Sequence, residues 1–254
     1  LGGKMQDTNW NRQLWDGGYD WAAEGEEWSV GWGGSEPQWF GAIYPRLHRA
    51  LPASSILEIA PGMGRWTKFL LPLCRNYVGV DISLECVHGC QKKFADAHHA
   101  RFVQNDGYSL SEVEDHAFDL VFSFDSLVHA EFDVFKNYIP QIIQKLNKGG
   151  IAFLHHSNMG ALGTAFANTA GADARAISVS RQNIEDLVVE SGGRVIIQEV
   201  IDWGPGKIPL DCLTMLAKGS GTTGPVHLYN LRFMEESQII KQFQAPYSGI
   251  DRLS

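Results

Sequence analysis

After Pro52 the chain alternates short apolar runs with helix-like stretches, and this alternation constrains its fold more than any other feature. The runs are "SILEIA", "YVGVD", "RFVQND", "FDLVFSFD" and "IAFLHH". Each is brief, rich in β-branched or aromatic residues and bounded by turn residues, the pattern of a buried strand. Between them lie "RWTKFLLPLC", "SLECVHGCQKKFA" and "VFKNYIPQIIQKL", the last followed by a glycine stop at Asn147–Gly150. Strands alternating with helices predict a parallel sheet covered on both faces. Further on, "SRQNIEDLVVESGG" predicts one more capped helix, and "RVIIQEVIDW" and "LDCLTMLAK" two more strands. The link between those two is too short for a helical crossover, so they should pair antiparallel. The expected fold is α/β, a Rossmann-like seven-stranded sheet of five parallel strands and a terminal antiparallel hairpin, preceded by an N-terminal cap segment.

Residues 1–51 read as that cap, 52–218 as the core and 219–254 as a C-terminal extension. The leader holds Trp10, Trp15, Trp21, Trp28, Trp32 and Trp39. Its polar stretch from Gly33 to Gln38 is bracketed by Trp32 and Trp39, and is expected to close over a ligand. Residues 157–179 are rich in small side chains and suit a mobile loop. A net charge of −8 with no Lys/Arg cluster argues against a nucleic-acid partner. No apolar stretch is long enough to span a membrane, and no charged-then-apolar leader opens the sequence, so a cytoplasmic protein is expected. Cys74, Cys86, Cys90 and Cys212 form no CxxC pair and no zinc spacing, and read as reduced packing residues. Self-association is left open.

The turn "ILEIAPGMGRW" carries the chemistry. Gly62 and Gly64 permit a tight turn that brings a ligand against backbone N–H groups at a helix start. A dinucleotide fingerprint would need a third glycine where Thr67 stands, and a phosphate loop would need Gly-Lys-Ser/Thr. Asp81 closes the next strand, where a carboxylate can accept from both hydroxyls of a ribose. Asp106 follows the third strand, placed for an adenine amino group, with Asn105 or Gly107 giving backbone contacts. Glu58 is a poor neighbour for a pyrophosphate and suits an ammonium. Adenosine with a zwitterionic tail describes S-adenosylmethionine.

In order, "EIAPGMGRWT", "VGVDIS", "QNDGYSL" and "FDLVFSFDSLVHAE" resemble the successive motifs of class I S-adenosylmethionine-dependent methyltransferases. The resemblance runs from Ile56 to Lys218. It implies that cofactor and that sheet, with Ala60, Arg65, Ile82, Ser123 and Phe124 as further cofactor contacts. More narrowly, "WGGSEPQWFGAIYPRL", "SFDSLVHAE" and "LHHSN" resemble a bacterial subgroup that includes sugar O-methyltransferases. That implies a saccharide or other small hydroxylated acceptor, with Glu36, Gln38 and Trp39 on the acceptor side.

An alcohol is a weak nucleophile, so a hydroxyl acceptor calls for a base, and a histidine titrating near neutrality fits. Asp125, His129, His155 and His156 follow the fourth and fifth strands, at the ligand end of such a sheet. His155 and His156 are adjacent on a strand and must point to opposite faces, and His156 is the expected base. Asp125, His156 and Asp211 could together hold Mg²⁺ and lower the pKa of a hydroxyl. Two other readings stand beside this one: a methyltransferase for a nitrogen or macromolecular acceptor, and a cofactor-binding protein without turnover.

Overall fold

A computed structural model describes residues 7–163 and 175–249. The middle of the expected small-residue loop, residues 164–174, lies outside the described residues. One mixed sheet of eight strands organises the chain: β1 (Ser55–Ile59), β2 (Asn76–Asp81), β3 (Ala100–Gln104), β4 (Phe118–Ser123), β5 (Leu146–Ser157), β6 (Gly193–Ile201), β7 (Asp211–Lys218) and β8 (Val226–Asn230). Their spatial order is β3-β2-β1-β4-β5-β7-β6-β8. The five expected parallel strands are adjacent, and the chain reverses direction across the sheet between β1 and β4.

Two details differ from the sequence expectation. The hairpin of β6 and β7 is antiparallel, but β7 inserts between β5 and β6, so it is built into the sheet and not appended to it. An eighth strand, β8, comes from the stretch expected to be a C-terminal extension and pairs parallel with β6. Its residues are largely exposed, Val226, Leu228 and Tyr229 among them, and it is only five residues long. The glycine stop is also displaced. The helix Phe132–Lys145 ends directly into β5, whose first residues include Asn147 to Gly150. "RWTKFLLPLC" forms only a short helix, Thr67–Leu70, before Pro72 forces a tighter turn.

Alternation along the strands divides two apolar layers. Leu57, Ile59, Val121, Ala152 and Leu154 face the Phe132–Lys145 and Arg181–Glu190 helices. Ile56, Leu120, Phe122 and Phe153 face the other side, where Trp32 and Trp39 of the leader are buried with Phe233. The leader and the C-terminal helix Phe233–Phe243 pack on each other, with the Trp32 and Phe233 rings 4.9 Å apart. Arg46 ties the two to the sheet, donating to Glu199 at 2.6 and 2.7 Å and reaching Glu236 at 3.4 Å. Among the described residues no helix is long and apolar enough to cross a membrane.

Candidate active site

A cavity opens beyond the carboxyl ends of β1, β2 and β4. Its walls include Ala60, Gly62, Arg65, Asp81, Ile82, Asn105, Gly107, Phe124, Asp125 and His129. Ala60 and Gly62 both have φ of +57°, so the chain leaves β1 through a left-handed turn that exposes backbone. A Cβ at Gly62 would stand 3.3 Å from the Trp21 ring, filling the narrow space between the turn and the leader. Gly64 has a different reason to be glycine: its Cβ would lie 2.4 Å from the Phe94 ring, so it serves packing below the turn. Gly64 does not line the cavity.

The Asp81 carboxylate accepts from the Gly62 and Ser83 amides, both at 2.9 Å, one on each oxygen. Each oxygen keeps a lone pair for a further donor. Burial pushes its pKa up to about 6, against the lowering effect of those amides. Asn105 donates to Tyr138 at 2.8 Å and accepts from the Gly107 amide at 3.2 Å, which shapes the turn after β3. Asp106 turns away: its carboxylate accepts from the Tyr108 and Ser109 amides, and it does not line the cavity. Glu58 also points elsewhere. It is buried, accepts from Thr67 at 2.7 Å and from the Tyr77 hydroxyl, and burial raises its pKa to about 7. Ser123 is buried on the helix side of β4, and its hydroxyl has no partner among the described residues.

The four catalytic candidates separate. Asp125 and His129 line the cavity. The Asp125 carboxylate accepts from Arg65 at 2.7 Å, and Arg65 also donates to Ser29 and lies over the Trp28 and Trp66 rings. His155 sits behind them, its Nδ1 accepting from the Asp125 amide at 3.1 Å and its Nε2 donating to Asp211 at 3.2 Å. His156 faces the opposite layer. Its Nδ1 donates to the Ser157 carbonyl, its Nε2 accepts from Thr214, both at 2.8 Å, and Phe135 packs on it. Burial lowers its pKa to about 4, so it is neutral and enclosed.

The expectation that His156 faces an acceptor therefore does not match the geometry: it does not line the cavity, and both its ring nitrogens are taken up within the protein. The three expected metal ligands are likewise divided. Asp125 pairs with Arg65, and Asp211 is held by Arg175 at 2.7 and 2.8 Å. Burial would raise the Asp211 pKa, but Arg175 and His155 overcome it and hold the carboxyl well below its usual range. Among the described residues no three His, Cys, Asp or Glu side chains gather to hold a metal ion.

The leader covers the cavity, through a different stretch from the one expected. Thr8, Asn11, Trp15, Trp21, Glu24 and Trp28 line it, whereas Glu36, Gln38 and Trp39 do not. Trp39 and Gln38 are fully buried, and Glu36 is exposed. The covering stretch is fastened to every loop around the cavity. Trp21 and Arg65's partners meet the turn after β1. Asp16 accepts from the Ser83 hydroxyl and the Glu85 amide after β2. Arg12 donates to the Asp106 carbonyl after β3, and Asn11 to the His129 carbonyl after β4. The Trp15 ring lies 5.4 Å from the His129 ring. None of these contacts follows from a local motif; the density of tryptophan was the one signal in the sequence.

Residues 56–150 match a family described as "Methyltransferase domain". No curated protein matches the sequence. Among solved structures, the chain is similar to an S-adenosylmethionine-dependent methyltransferase from Clostridium acetobutylicum (TM-score 0.58, 17% identity, 73% of this chain and 92% of that one). It is similar also to a chain in the complex of the Haloferax volcanii Trm112 methyltransferase activator with a putative methyltransferase (0.57, 16%, 79% and 96%). A third is the CcbJ methyltransferase of Streptomyces caelestis (0.56, 14%, 72% and 96%).

Proposed function

We infer that the chain is a class I S-adenosylmethionine-dependent methyltransferase, a reading supported by its matched methyltransferase domain and its fold, and that it methylates a hydroxyl of a sugar or another small hydroxylated molecule. The cofactor fits the residues present. Asp81 keeps two lone pairs for ribose hydroxyls, Gly62 leaves space that a side chain would fill, and Asn105, Gly107 and Ile82 border the place for a base. Bound S-adenosylmethionine supplies a methyl group on a sulfonium that leaves as a neutral thioether.

The observation that carries the acceptor class is the pairing of Asp125 and His129 on one cavity wall beside the aromatic leader. Because the sulfonium is already activated, the protein must hold the acceptor in line and remove its proton. His129 is assigned as the base: an imidazole nitrogen takes the hydroxyl proton. Asp125, neutralised by Arg65, orients that hydroxyl without leaving an isolated charge in the cavity. Trp15, Trp21 and Trp28 supply apolar surface for the acceptor's carbon skeleton and narrow the entrance, which favours a small molecule over a folded partner.

Mass spectrometry of the protein incubated with S-adenosylmethionine and a panel of sugars, polyols and matched amines tests the reading. A product carrying one methyl ether is expected. Methylation confined to amines or macromolecules would overturn the acceptor class, and cofactor binding without transfer to any class would overturn the enzymatic assignment.

A further inference from the structure

A buried chain of charges and hydrogen bonds ends on the turn that carries Asp125 and His129. Arg175 donates twice to Asp211, Asp211 accepts from His155 Nε2, and His155 Nδ1 accepts from the Asp125 amide. His155 and Asp211 are inaccessible to solvent, and the imidazole is held between the Phe124 and Trp203 rings, 4.6 and 5.1 Å away. A backbone amide can only donate, so Nδ1 must present a lone pair and the proton must reside on Nε2. That tautomer is the one Asp211 selects.

The recipient of this arrangement is unusual. Asp125 has φ of +60°, a conformation that a residue with a Cβ adopts only when its surroundings hold it there. Three fastenings do so: the amide to His155, the carboxylate to Arg65, and the next residue's hydroxyl, Ser126 Oγ, to the Ala60 carbonyl at 2.9 Å. The following turn, Leu127–His129, starts from that constrained point and delivers His129 to the cavity wall.

We propose that His155, fixed from below by Asp211 and Arg175, is a positioning residue that holds Asp125 in its left-handed conformation and thereby sets the places of Asp125 and His129. The proposal rests on the reading of those two side chains as acceptor-handling groups. It assigns no proton transfer to His155, because both ring nitrogens are committed within the protein.

Imidazole ¹⁵N spectroscopy of the intact protein gives a first test that needs no acceptor and no variant: His155 should carry its proton on Nε2. A proton on Nδ1 would overturn the proposal. The second test compares His155→Phe with His155→Gln by hydrogen exchange at the Asp125 amide and by kinetics. Phe keeps the ring's bulk and removes both hydrogen bonds, whereas Gln keeps one acceptor and one donor on a planar group. His155→Phe should speed Asp125 exchange at least tenfold and lower kcat about 10–100-fold, with cofactor Kd within about threefold. His155→Gln should recover most of both losses. Equal exchange in wild type and His155→Phe, or equal loss of kcat in the two variants, would overturn the proposal. If the protein methylates no hydroxyl acceptor, the functional reading fails, while tautomer and exchange still decide whether His155 pins the turn.

Discussion

The two halves of the cavity are built by different means. At the ends of β1 and β2 the wall is made by two adjacent strand-end turns, Ala60 to Gly62 and Asp81 to Ile82, with the Asp81 carboxylate bonded directly to the Gly62 and Ser83 amides. At the ends of β4 and β5 the wall depends on groups brought from afar. Asp125 is held by Arg65 and by His155, His155 by Asp211, Asp211 by Arg175, and His129 is covered by Trp15 of the leader. The first half is set by backbone geometry and is tied to one cofactor shape. The second is an assembly of side chains that can change with the acceptor while the sheet stays fixed.

If that division is right, the halves should fail differently. The largest effect is expected at His129. His129→Ala should lower turnover by roughly two to four orders of magnitude, the range for removing a general base, with cofactor affinity little changed. His156→Ala should instead reduce stability, because His156 fills a closed site between Ser157, Thr214 and Phe135. Steady-state kinetics and thermal unfolding of both variants decide this. A folded His156→Ala protein with the larger loss of turnover would return the role of base to His156.

The legibility of the sequence follows the same division. The strand–helix alternation is legible from local pattern, and the Gly62 and Asp81 positions from their places at the ends of consecutive strands. Glu58 could not be placed: in the middle of a strand, one side chain turns toward the ligand end or toward the core according to what crosses above it. Here Thr67 and Tyr77 claim it. Strand alternation puts His155 and His156 on opposite faces, but neither lines the cavity, because each ring is claimed by partners from distant parts of the chain. The polar stretch Gly33–Gln38 was misleading. Its serine and glutamine are buried, and the flanking Trp32 and Trp39 are core residues, so polarity there did not mean exposure. β8 is a five-residue edge strand, too short for its alternating Val226 and Leu228 to stand out from the surrounding loop.

On the cofactor side, Gly62→Val should be the most damaging substitution. It combines a β-branched residue at φ +57° with a clash against the Trp21 ring, and should lower cofactor affinity by about a hundredfold or more. Asp81→Ala should weaken binding by about 1–3 kcal/mol, the scale of a lost charge-assisted hydrogen bond. Since burial pushes the Asp81 pKa up to about 6, wild-type affinity should fall as pH drops through 6, when the carboxylate gains a proton. Calorimetry across pH measures both, and a pH-independent affinity would remove Asp81 from the ribose role. Trp21→Ala should cost less, about tenfold in affinity, because it loosens the cover while the loops beneath remain; hydrogen exchange over residues 8–28 should respond to cofactor more strongly than exchange over 33–38.

The smallest effect on the site is expected at Glu58, and it sharpens the comparison most. Glu58 touches Thr67 and Tyr77 and does not line the cavity, so Glu58→Gln should change cofactor affinity by less than about twofold. Its effect should appear in stability. Burial raises its pKa from 4.5 to about 7 in the folded state, so folding favours the protonated form. The stabilisation this brings is complete below pH 4.5 and is lost as pH rises through 7, where a buried charge must be accommodated. His156 runs the other way: its folded pKa of about 4 makes its contribution complete above 6.5 and lost as pH falls toward 4. Between pH 4.5 and 6.5 the two oppose each other, and above 6.5 Glu58 stands alone. Glu58→Gln removes the titration and keeps the hydrogen-bonding shape, so the fall in unfolding free energy between pH 6.5 and 8 should shrink by about 0.7 kcal/mol, half a pH unit at about 1.4 kcal/mol per unit. Chemical denaturation of both proteins across that range measures it. An unchanged pH profile together with a large loss of cofactor affinity would place Glu58 in the ligand site, and the cofactor half would then reach through β1 to its opposite face.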